Sequence, residues 1–338
     1  MAETAREQAT APLEAPTAAP RRWREVGQAI GAAAFLLLLL LYNVIFNADA
    51  FLSLQALRLN LTQVATIVIV GVGITLVIAT GGIDLSVGSL MAISGAMAPL
   101  IFLSDWPLLS TPFIGGTLAY IIPISVAGLF GLFNGWLITA FGLQPIIATL
   151  VLFVAGRGIA QVITDGRLQS FREPDWQFVG LGRIAGIPFQ AILMIAVVAL
   201  AGWALRSTSF GRYILAIGGN EAAARLAGVP VKRVKLAVYA ISGLLAGLAG
   251  LIVIAINSSS DANQVGLNME LDAIAAVAVG GTSLMGGKAT IVGTLIGALI
   301  IQLIRFTLLT QGVSDAVARI VTAAAIIIGV LAQRRRAS

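Results

Sequence analysis

Long apolar runs separated by short polar segments dominate this chain. Most runs approach the roughly twenty residues that an apolar helix needs to cross a bilayer. They predict an all-α, polytopic transmembrane helical bundle of about ten spans. The predicted spans lie within residues 29–46, 59–104 (two spans and a break), 113–140, 146–164, 189–205, 236–256, 269–280, 289–309 and 316–331.

Two glycine-containing breaks interrupt these runs. Thr80–Gly88 (TGGIDLSVG) contains Asp84, the only acid between residues 59 and 104, and Gly280–Gly287 (GGTSLMGG) repeats its Gly-Gly, Leu and Gly spacing 199 positions later. Unpaired backbone groups in lipid cost several kcal/mol each, so a break must be covered by protein or must line a water-filled cavity. One interpretation is a tight turn in which glycines serve only the turn and close packing.

The matched pair of breaks, one with an acid, favours the other interpretation, in which two related halves contribute Gly-interrupted helices to a transport pathway. The pathway candidates at the breaks are Gly81, Gly82, Asp84, Ser86, Gly280, Gly281, Thr282 and Ser283. Asp84 has an alternative role, because a carboxylate before a helix can cap it by accepting from backbone N–H groups near Ser86.

Two further pathway candidates are polar residues inside predicted spans. Asn134 lies within a small-xxx-small pattern, Gly131 to Gly135, which is typical of close helix packing. Arg157 lies between two glycines in the span 146–164. A charge at that depth is usually functional or paired within the bundle, whereas near a helix end it can reach the headgroups.

Composition restricts the possible functions. Hydrophobic residues make up 58% of the chain and charged residues 11%, with no Cys and no His, which is typical of an integral membrane protein. The missing side chains exclude disulfides, thiol catalysis, Cys/His metal sites and imidazole acid–base chemistry, so we expect neither an enzyme nor a metal site. The net charge of +6 collects in short loops, which indicates orientation and not nucleic-acid binding.

Charge distribution also predicts the domain organisation. Residues 1–28 form a disordered cytoplasmic tail, 29–333 the transmembrane permease domain, and 334–338 a basic cytoplasmic tail. The loop 206–235 carries six basic residues and one acid, which places it in the cytoplasm.

A short helix is predicted within this basic loop. Asn220 can cap its start, Glu221 suits the helix dipole, and Gly228 followed by Pro230 ends it. So short a helix needs a packing surface, either a groove on a cytoplasmic partner or the protein's own membrane face. The candidates for contact with an ATPase are Asn220, Glu221, Ala222, Ala223, Arg225 and Gly228.

Four segments carry a family resemblance. The stretches 80–88, 144–150 (QPIIATL), 211–229 (GRYILAIGGNEAAARLAGV) and 270–288 (ELDAIAAVAVGGTSLMGGK) resemble motifs of bacterial ABC-type sugar importer permeases of the ribose/xylose/galactose branch. The resemblance runs from about residue 59 to the C-terminus. Residues 154–166 and 261–263 look most like a galactofuranose permease subunit, while Thr282 looks more ribose-like.

The resemblance implies an ATP-driven importer of the bacterial inner membrane, with both termini of this chain cytoplasmic. A periplasmic sugar-binding protein would deliver a monosaccharide, and a second permease subunit, identical or homologous, would complete the path through the lipid bilayer. ABC ATP-binding subunits would bind ATP and Mg and dock on the short helix. This chain itself would bind no cofactor, because residues 282–289 lack the first Gly and the final Ser or Thr of a phosphate loop.

The alternative is an ion-coupled secondary transporter that uses intramembrane acids such as Asp84, Glu270 and Asp272. A third hypothesis is an intramembrane enzyme. The sequence disfavours it because no nucleophile–base pair is visible.

Overall fold

The structure is a computed structural model that describes residues 21–106 and 111–324. The described chain is helical, with four two-residue strands. Its helices are α1 (Arg21–Phe46), α2 (Ala48–Phe51), α3 (Leu54–Ala79), α4 (Val87–Phe102), α5 (Pro112–Phe141), α6 (Pro145–Ile163), α7 (Phe178–Leu181), α8 (Phe189–Ser207), α9 (Ser209–Gly219), α10 (Glu221–Leu226), α11 (Val231–Asn257), α12 (Met269–Val279), α13 (Ile291–Thr310) and α14 (315–324).

Six of the described helices, α3, α5, α6, α8, α11 and α13, are long and apolar enough to cross a membrane. The all-α membrane architecture is therefore confirmed, while the count of about ten spans stays a prediction. Helix α12 has only 11 residues. At 1.5 Å per residue it is about 16 Å long, roughly half the thickness of the hydrocarbon core. Helix α4, with 16 residues, is also short.

Helix α3 forms the centre of the bundle. All its residues from Val64 to Ala79 are buried, and apart from Thr66 and Thr75 they are apolar on every side of the helix, as expected for a span enclosed by protein. Helices α5 and α11 pack closely because small residues face each other. An added Cβ at Gly243 or Gly131 would overlap backbone of the opposing helix.

The two ends of the bundle differ. We call the end that carries α9 and α10, within the loop 206–235, the basic end, and the opposite end the far end. At the far end, β1 (Gln169–Ser170) pairs antiparallel with β4 (Ser259–Ser260), and β2 (Arg183–Ile184) with β3 (Ile187–Pro188).

An aromatic cluster closes the far end. Trp176 stacks on Tyr120 at 5.1 Å between ring centroids and packs at 4.8 Å against Phe102. Tyr120 also donates a hydrogen bond to the carbonyl of Trp176. These contacts hold the polar loop after α6 against the ends of α4 and α5.

One predicted boundary differs from the structure. Helix α1 begins at Arg21, whereas the tail was predicted to extend to residue 28. Arg and Glu are good helix formers, so the helix continues beyond its apolar run. Residues 1–20, the basic tail 334–338 and the end of the last predicted span lie outside the described residues.

Candidate functional site

The first break ends helix α3 with a Schellman motif. Gly81 has a φ of +81° and donates its N–H to the carbonyl of Ile78 at 2.8 Å. Gly82 donates to Val77 at 3.2 Å. These two bonds satisfy the last carbonyls of the helix, and the positive φ is the conformation for which glycine is preferred.

The second break ends helix α12 with the same motif. Gly281 has a φ of +83° and donates to Ala278 at 3.0 Å, and Thr282 donates to Val277 at 3.2 Å. The structure therefore pairs Gly81 with Gly281, one position away from the predicted pairing with Gly280. Gly280 instead packs against Gly293, where an added Cβ would overlap the Gly293 backbone. The sequence spacing predicts the wrong pairing because the two loops beyond the caps differ in length.

Both breaks meet at the basic end. The N–H of Gly287, in the second loop, donates to the carbonyl of Ala79 at 3.0 Å. An added Cβ at Gly286 would lie 2.9 Å from the nitrogen of Gly81 and 2.9 Å from the oxygen of Gly218. We call this three-way backbone contact the glycine junction; it comprises residues 79–81, 218–219 and 286–287. Its residues 218–219 stand directly before α10 in the chain.

A buried polar cluster follows the first break. Asp84 is fully buried and accepts hydrogen bonds from the N–H and Oγ of Ser86, at 2.9 and 2.6 Å, and from Ser242 Oγ at 2.8 Å. Asn134 donates to Ser86 Oγ at 2.9 Å. The bond from the Ser86 N–H is the one that the capping interpretation of Asp84 expects.

Two polar atoms beside this cluster have no hydrogen-bond partner in the described chain, namely Asn134 Oδ1 and the hydroxyl of Tyr239. Both residues are fully or almost fully buried. Gly82 leaves room for Tyr239, because an added Cβ would overlap its hydroxyl. A buried polar group without a partner costs free energy and requires an explanation, such as a ligand hydroxyl in another state.

Arg157 is paired within the bundle. Its Nη1 donates to the carbonyls of Ala262 and Val265 at 2.8 and 2.6 Å. The guanidinium thus holds the loop between β4 and α12 against α6. Glu270 also interacts with Arg157 electrostatically, and its Oε2 is buried without a hydrogen-bond partner.

The short helices α4 and α12 begin beside each other. An added Cβ at Gly88, in the first turn of α4, would overlap a carboxylate oxygen of Glu270, in the first turn of α12. The first turns of two short helices therefore adjoin inside the bundle, an arrangement typical of interrupted transporter helices.

The hydroxyls of the second break do not join the polar cluster. Thr282 Oγ1 accepts from the N–H of Thr290 at 3.1 Å. The carbonyl of Ser283 accepts from Gly286 at 3.0 Å, and its N–H donates to the carbonyl of Lys288 at 3.3 Å. These contacts brace the loop itself, so the second break contributes backbone contacts at the junction.

Helix α10 has the predicted caps. Asn220 Oδ1 accepts from the N–H of Ala223 at 2.9 Å, and Gly228 ends the helix with a φ of +81°. Leu226 is 92% exposed at its end, and Met285 of the second loop is 88% exposed. Both apolar side chains lie at the basic end.

Glu221 makes its contacts within the chain. Its two carboxylate oxygens bind Lys235 Nζ at 2.6 Å and Arg225 Nη2 at 3.0 Å. The hydrogen bond from Lys235 is the main cause that lowers the pKa of Glu221 below its ordinary value. Glu221 therefore ties α10 to the start of α11, while Ala222, Ala223 and Arg225 are exposed.

Sequence reasoning missed Ser242, Tyr239 and the Gly218–Gly219 pair. A signal existed for the pair, since it is a further Gly-Gly directly before the short helix. No local pattern singles out Ser242 or Tyr239, which reach the cluster from a distant helix. Among residues 21–106 and 111–324, no group of three or more His, Cys, Asp or Glu side chains could hold a metal ion.

Glycine-capped breaks inside a bundle of apolar helices are typical of membrane transport proteins. Residues 57–331 match a family described as branched-chain amino acid transport system / permease component. The chain therefore belongs to this family, and it is a transport component, not an enzyme. No solved structure shows significant similarity to it.

Curated relatives resemble the chain over most of its length. It is 38% identical over 276 residues to a galactofuranose transporter permease protein of Escherichia coli K12, covering 82% of this chain and 79% of that protein. It is 40% identical over 305 residues to a ribose import permease protein of Haemophilus influenzae, covering 88% and 91%. A fructose import permease protein of Bifidobacterium longum is 40% identical over 262 residues, covering 75% and 70%. The resemblance to sugar importer permeases is thus confirmed.

Proposed function

We propose that this chain is the membrane-spanning permease subunit of an ATP-driven importer that translocates a monosaccharide delivered by a periplasmic binding protein. The names of its relatives support a sugar as the substrate, with galactofuranose, ribose and fructose as the first candidates. The observation that carries the coupling mechanism is the position of α10. This helix follows directly after the glycine junction, where both breaks meet.

Helix α10 is the proposed docking element for the ATP-binding subunit. Its six residues are too few for a stable isolated helix, so it depends on its caps and on the Glu221–Lys235 ion pair. The exposed side chains of Leu226 and Met285, both at the basic end, suit an apolar groove on the partner. Ala222 and Ala223 allow close approach of the partner's surface.

The glycine junction is the proposed transmission element. Backbone groups of α3, α9 and the second loop contact each other there without intervening side chains. A displacement of α9 and α10 must therefore displace the end of α3 and the second loop. Packed contacts of this kind switch between discrete arrangements more readily than they deform.

The polar cluster is the proposed sugar contact along the pathway. Asn134 Oδ1 and the hydroxyl of Tyr239 are free to bond sugar hydroxyls when the transporter opens, and Asp84 and Ser86 hold the cluster in place. Arg157 is the proposed clamp on the far-end loop that separates the cluster from the outside.

The proposed assembly contains two permease subunits and two ATP-binding domains in the bacterial inner membrane. The basic end then faces the cytoplasm, as expected for a loop rich in Lys and Arg. ATP and Mg bind to the partner subunits, and this chain supplies the path through the bilayer.

The test is co-purification of the tagged chain from its native membrane in mild detergent, followed by mass spectrometry and reconstituted uptake of labelled sugars. Recovery of an ATP-binding subunit and ATP-dependent uptake support the proposal. Leu226→Glu should abolish recovery of that subunit, whereas Leu168→Glu, the same change at another exposed leucine of the far end, should not. Uptake in liposomes that contain this chain alone and no ATP would refute it.

A further inference from the structure

A cavity of about 450 Å³ opens at the far end, away from the polar cluster and the glycine junction. It lies between the start of α3, the β2–β3 hairpin and the start of α8. Its volume is within the range of small-molecule sites. Two arginines, Arg58 and Arg183, line it, and none of its lining residues is acidic.

Neither arginine is neutralised within residues 21–106 and 111–324. Arg58 Nε donates to the carbonyl of Gly186 at 3.2 Å, and neither guanidinium forms an ion pair with a carboxylate of the described residues. Two guanidinium groups around one cavity favour an anion, above all phosphate, whose oxygens match their forked donors.

The floor of the cavity adds a second requirement. Gln190 is 2% exposed, and its Nε2 donates to Thr62 Oγ1 at 2.8 Å. Its Oε1 has no hydrogen-bond partner. Gln190 lines the cavity, and a buried amide oxygen without a donor is suited to a ligand hydroxyl. Phosphate next to a hydroxylated group meets both requirements.

The position of the cavity along α3 fits the headgroup region of a bilayer centred on that helix. Helix α3 has 26 residues and is about 39 Å long, about 9 Å more than the hydrocarbon core. Arg58 lies four residues from its start, or about 6 Å along the axis, near the hydrocarbon boundary. Exposed leucines continue along the same helix end, at positions Leu54, Leu57 and Leu59.

From these observations we infer that the cavity binds a hydroxylated phosphate ester, such as the glycerol phosphate headgroup of an anionic phospholipid in the far-end leaflet. Arg58 and Arg183 bind the phosphate, and Gln190 accepts a hydrogen bond from the headgroup hydroxyl. The exposed leucines of α3 provide a surface for the acyl chains. This inference does not depend on the proposed transport function.

The test is native mass spectrometry of the purified chain titrated with phosphatidylglycerol. The double variant Arg58→Gln/Arg183→Gln should retain this lipid about tenfold less than the wild type, because it loses charge-assisted bonds. Arg167→Gln/Arg172→Gln removes the same charge from exposed positions of the far-end loop outside the cavity and should bind like the wild type. Phosphatidylcholine should bind less well than phosphatidylglycerol to the wild type.

A competition arm identifies the source of the phosphate. Displacement of phosphatidylglycerol by soluble glycerol 1-phosphate assigns the site to a soluble ester, and failure of displacement assigns it to lipid. Equal retention by the wild type and both double variants would overturn the inference. The inference would also be overturned if Arg58→Gln/Arg183→Gln retained the lipid but no longer bound an acidic protein. If the Gln variant misfolds, Arg58→Lys/Arg183→Lys, which keeps the charge without the forked donors, should give an intermediate affinity.

Discussion

The glycine junction makes a sharp prediction at Gly218. An alanine Cβ there would overlap the carbonyl oxygen of Ala79 and the amide nitrogen of Gly287, and would lie 2.9 Å from the Ala79 carbonyl carbon. All three atoms belong to the backbone, so no side chain can move away. A normal contact of about 3.5 Å with the Ala79 oxygen requires α9 to move away by roughly 1.5 Å.

The cost of Gly218→Ala follows from these contacts. Overpacking against rigid neighbours costs about 1–3 kcal/mol. The hydrogen bond from Gly287 to Ala79 joins the same surfaces, and its loss adds about 1 kcal/mol. We therefore expect a loss of about 2–4 kcal/mol in the contact between α9 and the two breaks.

The adjacent residue provides the control. An added Cβ at Gly219 meets no atom within 4 Å, so Gly219→Ala makes the same chemical change in the same helix without a clash. Thermal unfolding in detergent and ATP-driven uptake in liposomes should both be impaired in Gly218→Ala and close to wild type in Gly219→Ala. Wild-type stability and uptake in Gly218→Ala would refute the transmission role of the junction.

Three other predictions concern the polar cluster and α10. Asp84→Ala should destabilise the fold by about 1–3 kcal/mol for each donor left without an acceptor, and Asp84→Asn by less, as measured by thermal unfolding. Tyr239→Phe removes a buried hydroxyl without a partner, so it should keep or raise the unfolding temperature and lower sugar uptake. The lowered pKa of Glu221 means that its stabilisation of α10 is fully present above the ordinary value of 4.5 and is lost as pH falls through the folded value. A spin label attached to Ala227→Cys should detect this loss as a change in its mobility. Lys235→Gln should shift that change to higher pH.

Each of these has a contradicting result. If Asp84→Ala and Asp84→Asn unfold at the same temperature, the hydrogen bonds of Asp84 contribute little to stability. A less stable Tyr239→Phe chain would show that the hydroxyl has a partner. If the spin label changes mobility at the same pH with Lys235 and with Lys235→Gln, the ion pair with Lys235 does not control the pH dependence of Glu221.

The sequence predicted the helices and the caps of α10 well because these depend on local patterns. Long apolar runs give α3 and α11 within a few residues, and Asn220 and Gly228 stand at the two ends of α10 as expected. The echo of the first break in the second was also real, yet its register was wrong by one residue. Sequence spacing aligned the loops, whereas the helix ends determine the structural correspondence.

Long-range contacts could not be predicted in the same way. Ser242 reaches Asp84 across 158 positions of the chain, and Arg157 reaches Val265 across 108. Nothing near either residue in the sequence encodes its partner. Glu221 shows the same limit, because no local pattern predicts that Lys235 of the following helix binds one of its oxygens, while its contact with an ATPase stays a prediction.

The two breaks therefore share one cap but have different consequences. Beyond Gly81, only three residues lead to Asp84, which at 3.3–3.6 Å per residue span at most about 10 Å. The glycine junction and the polar cluster are thus joined by a short segment of the chain. Beyond Gly281, the chain instead forms a loop that folds back on the junction through Gly286 and Gly287 and is braced by Thr282. Under the proposed function, movement of α10 reaches Asp84 directly through the first break, while the second break supplies the surface against which that movement occurs.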